Sequence, residues 1–305
     1  MKTRKIILII ADILLLAGVI TQCVFMSKDG GKTFKLKETP DEIVIQNGTD
    51  NVVLSFENNE WVVGDKKYKT NMSVVDSMLD GLSSIRCLDK VSSITKPNEI
   101  EKYELDEGKK ITVTARKEGT DLRTIDIGKS ATTGSQCFIT VDGGKEIYLA
   151  TGGLRYDFDM TEADIRSKIV WDFDDAEVNA VEVMRTDGTK LGVSKTGSGE
   201  DLSWSVSGAD IELDTEKAQS WFDTLKSLTT SKWYDESEDL GGTKISTTRV
   251  TYGYDTATVD IYEVPPKEGK ENATYYGKCS ETPYPFEVSL YTMENINKKP
   301  EELAK

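Results

Sequence analysis

Two stretches of the chain, Trp61 to Ile85 and Trp204 to Leu228, align without a gap at a constant offset of 143 residues. Under that offset Val75, Met78, Leu79, Leu82 and Ile85 fall on Ala218, Trp221, Phe222, Leu225 and Leu228. The spacing i, i+3, i+4, i+7, i+10 is the apolar stripe of an amphipathic helix. A matched helix face implies a matched core, so the chain reads as a duplication. A period above a hundred residues is too long for a solenoid unit, and each copy is expected to be a small domain with its own interior.

The first unit is assigned to residues 40–155. Short β-like runs at 43–45, 52–56 and 61–63 are separated by Asn47-Gly48 and Asn58-Asn59 turns, and Asn71 or Ser73 caps the helix that runs to Ile85. A helical turn near 97–103 precedes strands at 111–115, 122–127, 138–141 and 147–149, with Asp142-Gly143-Gly144 closing the last hairpin. A linker, residues 156–177, carries a helix capped by Thr161 and running to Lys168.

The second unit, 178–292, repeats the order with strands at 181–184, 190–193 and 204–206, a helix capped by Asp214 or Thr215 and running to Leu228, and strands at 249–254, 258–263, 275–279 and 286–290. Residues 293–305 read as a flexible polar tail. The expected class is α+β: two tandem units, each a mostly antiparallel sheet with one main amphipathic helix.

Ahead of these units, Met1, Lys2, Thr3, Arg4 and Lys5 precede a run from Ile6 to Met26 that is apolar apart mainly from Asp12, Gly18, Thr21 and Gln22. About 20 residues at roughly 1.5 Å each cross a bilayer core of roughly 30 Å. Cations before the run and none inside it keep residues 1–5 cytoplasmic and send the rest outward. The run exceeds the usual signal-peptide core and no small-x-small site precedes Ser27, so an uncleaved single span is expected, followed by a stalk over residues 27–39. Asp12 lies toward the cytoplasmic end, where water reaches it; the alternative is a contact with another membrane subunit.

The chain carries 38 basic and 53 acidic residues, a net charge of −15. Removing Lys2, Arg4, Lys5 and Asp12 leaves 35 against 52, or −17 outside the membrane. Such a surface repels nucleic acid and anionic lipid headgroups. Histidine is absent, which excludes Ser-His-Asp and Cys-His nucleophile systems, His-ligated zinc and the H-E-x-x-H helix. Beyond the anchor's Cys23 stand Cys87, Cys137 and Cys279, an odd number that allows at most one internal disulfide.

Ser93-Ile94-Thr95-Lys96 and Lys195-Thr196-Gly197 match two signatures of serine penicillin-binding enzymes. Pro97 follows the first lysine, however, no Ser-x-Asn stands between the two, and the second motif is expected in a turn running through Ser198-Gly199. Gly128-Lys129-Ser130 resembles the end of a phosphate loop, but Arg123 occupies its first glycine position, so it too is read as a turn. Asp157, Asp159, Glu162, Asp164, Asp172, Asp174, Asp175 and Glu177 gather enough carboxylates for Ca²⁺, which takes about six to eight oxygens. Their spacing is not that of an EF-hand, and helix capping with surface charge accounts for most of them. No catalytic, cofactor or metal residues are assigned.

Tyr252, Tyr254, Tyr262, Tyr275, Tyr276, Tyr284, Phe286 and Tyr291 cluster in the second unit. Cross-strand pairing is their ordinary role, but large amphipathic rings also build binding faces. Tyr252, Tyr254, Tyr275, Tyr276, Tyr284 and Phe286 are the candidate binding surface.

Leu105-Asp106 after Tyr103, the strand end Ile125-Asp126-Ile127-Gly128, the hairpin Glu146-Ile147-Tyr148-Leu149 and the segment Arg166-Ser167-Lys168-Ile169-Val170 before Asp172-Phe173 are carried together. In these the chain resembles the uncharacterised bacterial family numbered 4340 among domains of unknown function, over about Trp61 to Val183 and weakly again in the second copy. Tyr262-Glu263-Val264-Pro265-Pro266 of the second copy stands where the first has Gly128, so a duplicated site is not expected. The resemblance implies a single-span, outward-facing protein whose relatives are encoded beside ABC-type exporters; it carries no catalytic residues. The expected function is therefore a non-enzymatic, extracytoplasmic accessory or binding component of an ABC-type transport assembly. The alternatives are a cell-wall glycan binder and an envelope hydrolase working with carboxylates alone.

Overall fold

The computed structural model describes residues 31–132, 134–197, 202–266 and 272–305. The expected membrane span at 6–26 lies outside them; among the described residues no helix is long and apolar enough to cross a membrane. The fold divides between Ser167 and Lys168 into two units.

In the first unit the chain runs β1 (Thr33–Lys35), β2 (Glu42–Asn47), β3 (Asp50–Glu57), β4 (Glu60–Val63), β5 (Tyr68–Lys69), α1 (Met72–Ser83), β6 (Ser84–Ser93), α2 (Glu99–Lys102), β7 (Ile111–Lys117), β8 (Thr120–Ser130), β9 (Gln136–Val141), β10 (Glu146–Thr151), α3 (Leu154–Phe158) and α4 (Glu162–Ile165). The strands form one sheet in the order β1-β6-β10-β9-β8-β7-β2-β3-β4-β5. Its hairpins form where the turn residues tolerate positive φ: Asn58 and Asn59 take +50° and +70°, Asp142 and Gly143 +53° and +66°, as type I′ turns require. Asn71 accepts a hydrogen bond from the Ser73 amide and starts α1, which lays Val75, Met78 and Leu82 against Ile43, Ile45, Val113, Ile125 and Ile139. Each fully buried aliphatic of this kind contributes roughly 1.5–3 kcal/mol.

The second unit follows the same plan. Its elements are β11 (Ile169–Asp172), β12 (Val178–Arg185), β13 (Lys190–Thr196), β14 (Ser203–Ser207), α5 (Thr215–Lys226), β15 (Ser227–Thr229), β16 (Thr243–Tyr252), β17 (Asp255–Val264), β18 (Thr274–Cys279), β19 (Thr282–Val288), α6 (Leu290–Ile296) and α7 (Pro300–Leu303). The sheet order β14-β13-β12-β16-β17-β18-β19 is the order β4-β3-β2-β7-β8-β9-β10 of the first unit, element for element, and every pair is antiparallel. Helices α1 and α5 are both 12 residues long and start 143 residues apart, each behind a side-chain cap, Asn71 and Asp214.

The duplication also covers segments expected from the sequence to be connectors. The Asn71 amide donates to the Ile165 carbonyl, and the Asp214 amide donates to that of Leu303; Ser167 N bonds Lys69 O as Lys305 N bonds Glu212 O. Helices α3 and α4 thus close the first unit as α6 and α7 close the second. The expected linker at 156–177 is divided between the units, its helix ending at Ile165, and the expected flexible tail at 293–305 is packed structure. Leu303 and Ile296 are the physical reason, being 0% and 1% exposed. Trp221 adds to it by donating its indole N–H to the carbonyls of Asn295 and Ile296 at 3.0 and 3.2 Å.

Part of the expected stalk is likewise structured. Phe34 of β1 meets Tyr148 edge-on at 5.3 Å, and buried Arg123 reaches the carbonyls of Phe34 and Lys35. Both long helices end two residues earlier than expected, because Ile85 and Leu228 continue the burial from strands β6 and β15.

The three described cysteines are free. Cys87 and Cys137 both lie opposite Ala150 on the strand between them, so two strand spacings, about 9–10 Å, separate their backbones, beyond disulfide reach.

Candidate functional site

The registers Ile127↔Ile139 and Ile261↔Gly277 make Gly128 the counterpart of Tyr262 and Phe138 the counterpart of Tyr276. These four positions lie on the sheet face away from α1 and α5, and there the copies part. In the first unit the segment after α2 folds over this face. Tyr103 sets its ring 4.4 Å from Phe138, and Tyr103, Leu105 and Ile147 form a small buried cluster. Gly128 is needed for the approach, since a Cβ there would stand 2.1 Å from the Tyr103 carbonyl oxygen, which accepts the Lys129 amide. Gly128-Lys129-Ser130 is therefore the bulged end of β8 and not the expected turn.

In the second unit the Tyr262 ring takes the place that the Tyr103 ring holds in the first, and the segment after β15 reaches the same face through Gly241. Tyr262 stacks on Tyr276 at 4.8 Å and 6°, and the Tyr276 hydroxyl donates to the Gly241 carbonyl at 2.7 Å. Beside them opens a cleft of about 340 Å³ walled by Tyr234, Leu240, Pro265, Tyr275 and Tyr276, within the size range of small-ligand pockets. Lys232, Glu238 and Glu287 line it as well. Glu287 accepts from Ser231, and the Lys232 ammonium lies 4.8 Å over the Tyr234 ring. Burial, followed by the charges of Glu287 and Glu238, pushes the Tyr234 hydroxyl above its ordinary range; burial does the same for Tyr275 and Tyr276. All three rings are neutral at physiological pH.

Of the candidate tyrosines, Tyr275 and Tyr276 line the cleft. Phe286 does not: it is fully buried under Gly277, where a Cβ would stand 2.3 Å from its ring. Tyr252 stacks on Phe173 at 4.5 Å, Tyr254 projects into solvent from the β16–β17 turn, and Tyr284 lies on β19 outside the cleft lining. Tyr234, Leu240, Glu238 and Glu287 escape sequence inspection, because the segment after β15 and the last strand bring them in from separate parts of the chain. Tyr262, two residues past the Asp260 that matches Asp126, is the available signal, since it replaces a required glycine.

That match is itself duplicated chemistry. Thr112 donates to Asp126 at 2.7 Å with Lys110 3.3 Å away, and Thr247 donates to Asp260 at 2.6 Å with Lys244 3.2 Å away. Both networks tie neighbouring strands together across a solvated face.

The remaining constellations resolve into structural roles. Asp164 and Thr161 form a capping box, Asp159 accepts from Asn47, and Asp174 caps the Ala176 amide. Asp175 pairs with Lys195 and Lys226, whose hydrogen bonds hold its carboxyl below the usual range, while burial raises that of Asp157. Among the described residues no group of three or more potential ligands is placed to hold a metal ion. Lys195 and Thr196 lie on β13, paired with Trp204 and Ser203, and not in the expected turn; Ser198 and Gly199 lie outside the described residues. Ser93 bonds Thr95 and the Lys145 carbonyl at the end of β6 in the first unit.

No curated protein and no solved structure matches the chain. A family described as domain of unknown function DUF4340 matches residues 61–256, from β4 of the first unit to the start of β17 in the second. The match includes the stretch Trp61 to Val183 that carries the likeness and continues well into the second copy, where the motifs alone give only a weak one. More than half of the chain is matched, and the chain belongs to the DUF4340 family.

Proposed function

We propose that the chain is a non-enzymatic, membrane-anchored binding or accessory component of an ABC-type transport assembly. In this reading residues 6–26 are its single span, the N-terminus is cytoplasmic and both units are extracytoplasmic. The apolar run behind three cations supports the orientation, and the family resemblance supports the association with exporters. The observation that carries the binding role is a difference between the copies: where the first unit seats Tyr103 against Phe138 beside Gly128, the second stacks Tyr262 on Tyr276 and opens a tyrosine-walled cleft next to them. The first unit is then the structural copy and the second the recognising one.

Purification of the tagged full chain in mild detergent from its native host tests this. A permease or nucleotide-binding subunit is expected to co-purify; recovery of the chain with no other membrane protein would overturn the proposal. The tyrosine walls also favour a second reading, a cell-wall glycan binder. Retention on purified wall material that is lost in Tyr275→Ala and Tyr276→Ala, with no membrane partner recovered, would select that reading.

A further inference from the structure

We infer that the cleft of the second unit binds an organic ammonium group, held against the tyrosine walls with Glu238 and Glu287 as counter-charges. The inference rests on the reading of this cleft as the recognition element, and it adds the chemical class of the ligand.

Two observations converge. First, the cleft combines aromatic walls with two carboxylates, Glu238 and Glu287, the second of which accepts from the Ser231 hydroxyl. Aromatic faces attract cations through their quadrupole, most strongly where water is displaced. A neutral ligand that covered the same carboxylates would strip their hydration without replacing it. Second, one of the chain's own ammonium groups already rests on a wall ring: Lys232 lies 4.8 Å over Tyr234. Lys232 is exposed and free to swing out, so it marks a position that a ligand cation takes over. The −17 charge outside the membrane steers cations toward such a site.

Two sources share this chemistry, a free small cation and a lysine side chain of a partner protein. The test titrates the purified full chain, its tyrosines carrying fluorine labels, with choline, its neutral isostere 3,3-dimethyl-1-butanol, and Nα-acetyl-lysine methylamide. At least one of the two cations is expected to bind about tenfold or more tightly than the isostere, a difference of about 1.4 kcal/mol. Tighter choline identifies a free cation, and tighter lysine amide identifies a protein-borne one. Tyr234→Phe keeps the ring and the affinity, Tyr234→Leu loses about tenfold, and Glu238→Gln with Glu287→Gln weakens binding further. Lys232→Met, which removes the resident cation, tightens it.

Equal binding of the isostere, no binding of either cation, or affinity unchanged in a folded Tyr234→Leu protein would each overturn the inference. If the cations fail while a permease still co-purifies, only the ligand class falls. If no membrane partner is recovered while choline binds with this pattern, the cleft chemistry stands and the transport role falls.

Discussion

Leu303→Ala separates a packed closing helix from a loose tail. Leu303 is fully buried at the end of α7, against the core that contains Trp221 and Phe222. Its neighbour Ala304 bridges to Leu213, immediately before the Asp214 cap of α5. Truncating a buried leucine loses transfer free energy and leaves a cavity that relaxes only in part, at a cost of about 2–5 kcal/mol. With a urea m-value of about 2 kcal/mol/M, the unfolding midpoint of the second unit is expected to fall by about 1–2.5 M. Tryptophan fluorescence is the natural probe, because Trp171, Trp204, Trp221 and Trp233 belong to the second unit and only Trp61 to the first. Trp221 in addition donates directly to the carbonyls of Asn295 and Ile296 in the closing segment. Ile165→Ala, the matching change in the first unit, is expected to destabilise to a comparable degree. A Leu303→Ala midpoint shifted by no more than a surface substitution, within about 0.5 kcal/mol, would refute the closing role of α7 and its equivalence to α4.

Asn71→Ala and Asp214→Ala each remove an N-cap and are expected to cost about 1 kcal/mol, read as lower thermal midpoints, with glycine replacements milder than alanine. Arg123→Met keeps the buried stem but removes the guanidinium that reaches the Phe34 and Lys35 carbonyls, so amide exchange across Thr33–Lys35 should accelerate by about tenfold or more while α1 stays protected. Burial pushes the thiols of Cys87, Cys137 and Cys279 up to about 11 from 9.0. Each therefore stays protonated in the folded chain over a range in which the unfolded chain ionises, and the stability they contribute, complete below pH 9, is expected to drain away as pH rises toward about 11. At about pH 8 the same thiols should resist alkylation in the native protein and react once it is unfolded, as mapped by mass spectrometry.

Much of the architecture is legible in the sequence because it rests on local signals. Asn-rich turns, alternating strands and a helix face repeated at a fixed offset each report a backbone preference that tertiary packing reinforces. The failures occur where the deciding contact is distant. Ile85 continues the apolar stripe of α1 at helical spacing, yet it turns into β6, because the strand positions beside β1 and β10 bury it equally well. The closing helices α6 and α7 look polar; only Met293, Ile296 and Leu303 face inward, and they pack on α5, about 80 residues earlier. Ser289 before an i, i+3 apolar pair and Pro300 at a helix start are the usable signals.

The cleft divides in the same way. Tyr275 and Tyr276 stand out by composition, whereas Phe286, equally aromatic, is consumed by the core because it faces Gly277. Tyr234, Glu238 and Glu287 join the site only through the pairing of residues 232–234 with β19. Composition alone could not separate the two sets, since burial of a tyrosine depends on which strand register places it inward.

The functional proposal depends on both units lying outside the membrane. Protease added to intact cells is expected to digest the chain between Trp61 and Leu290 while a cytoplasmic control survives, leaving a small membrane-bound N-terminal fragment. A chain that remains whole while a known surface protein is digested, and that is cut only after the cells are broken, would place both units inside and contradict the proposal.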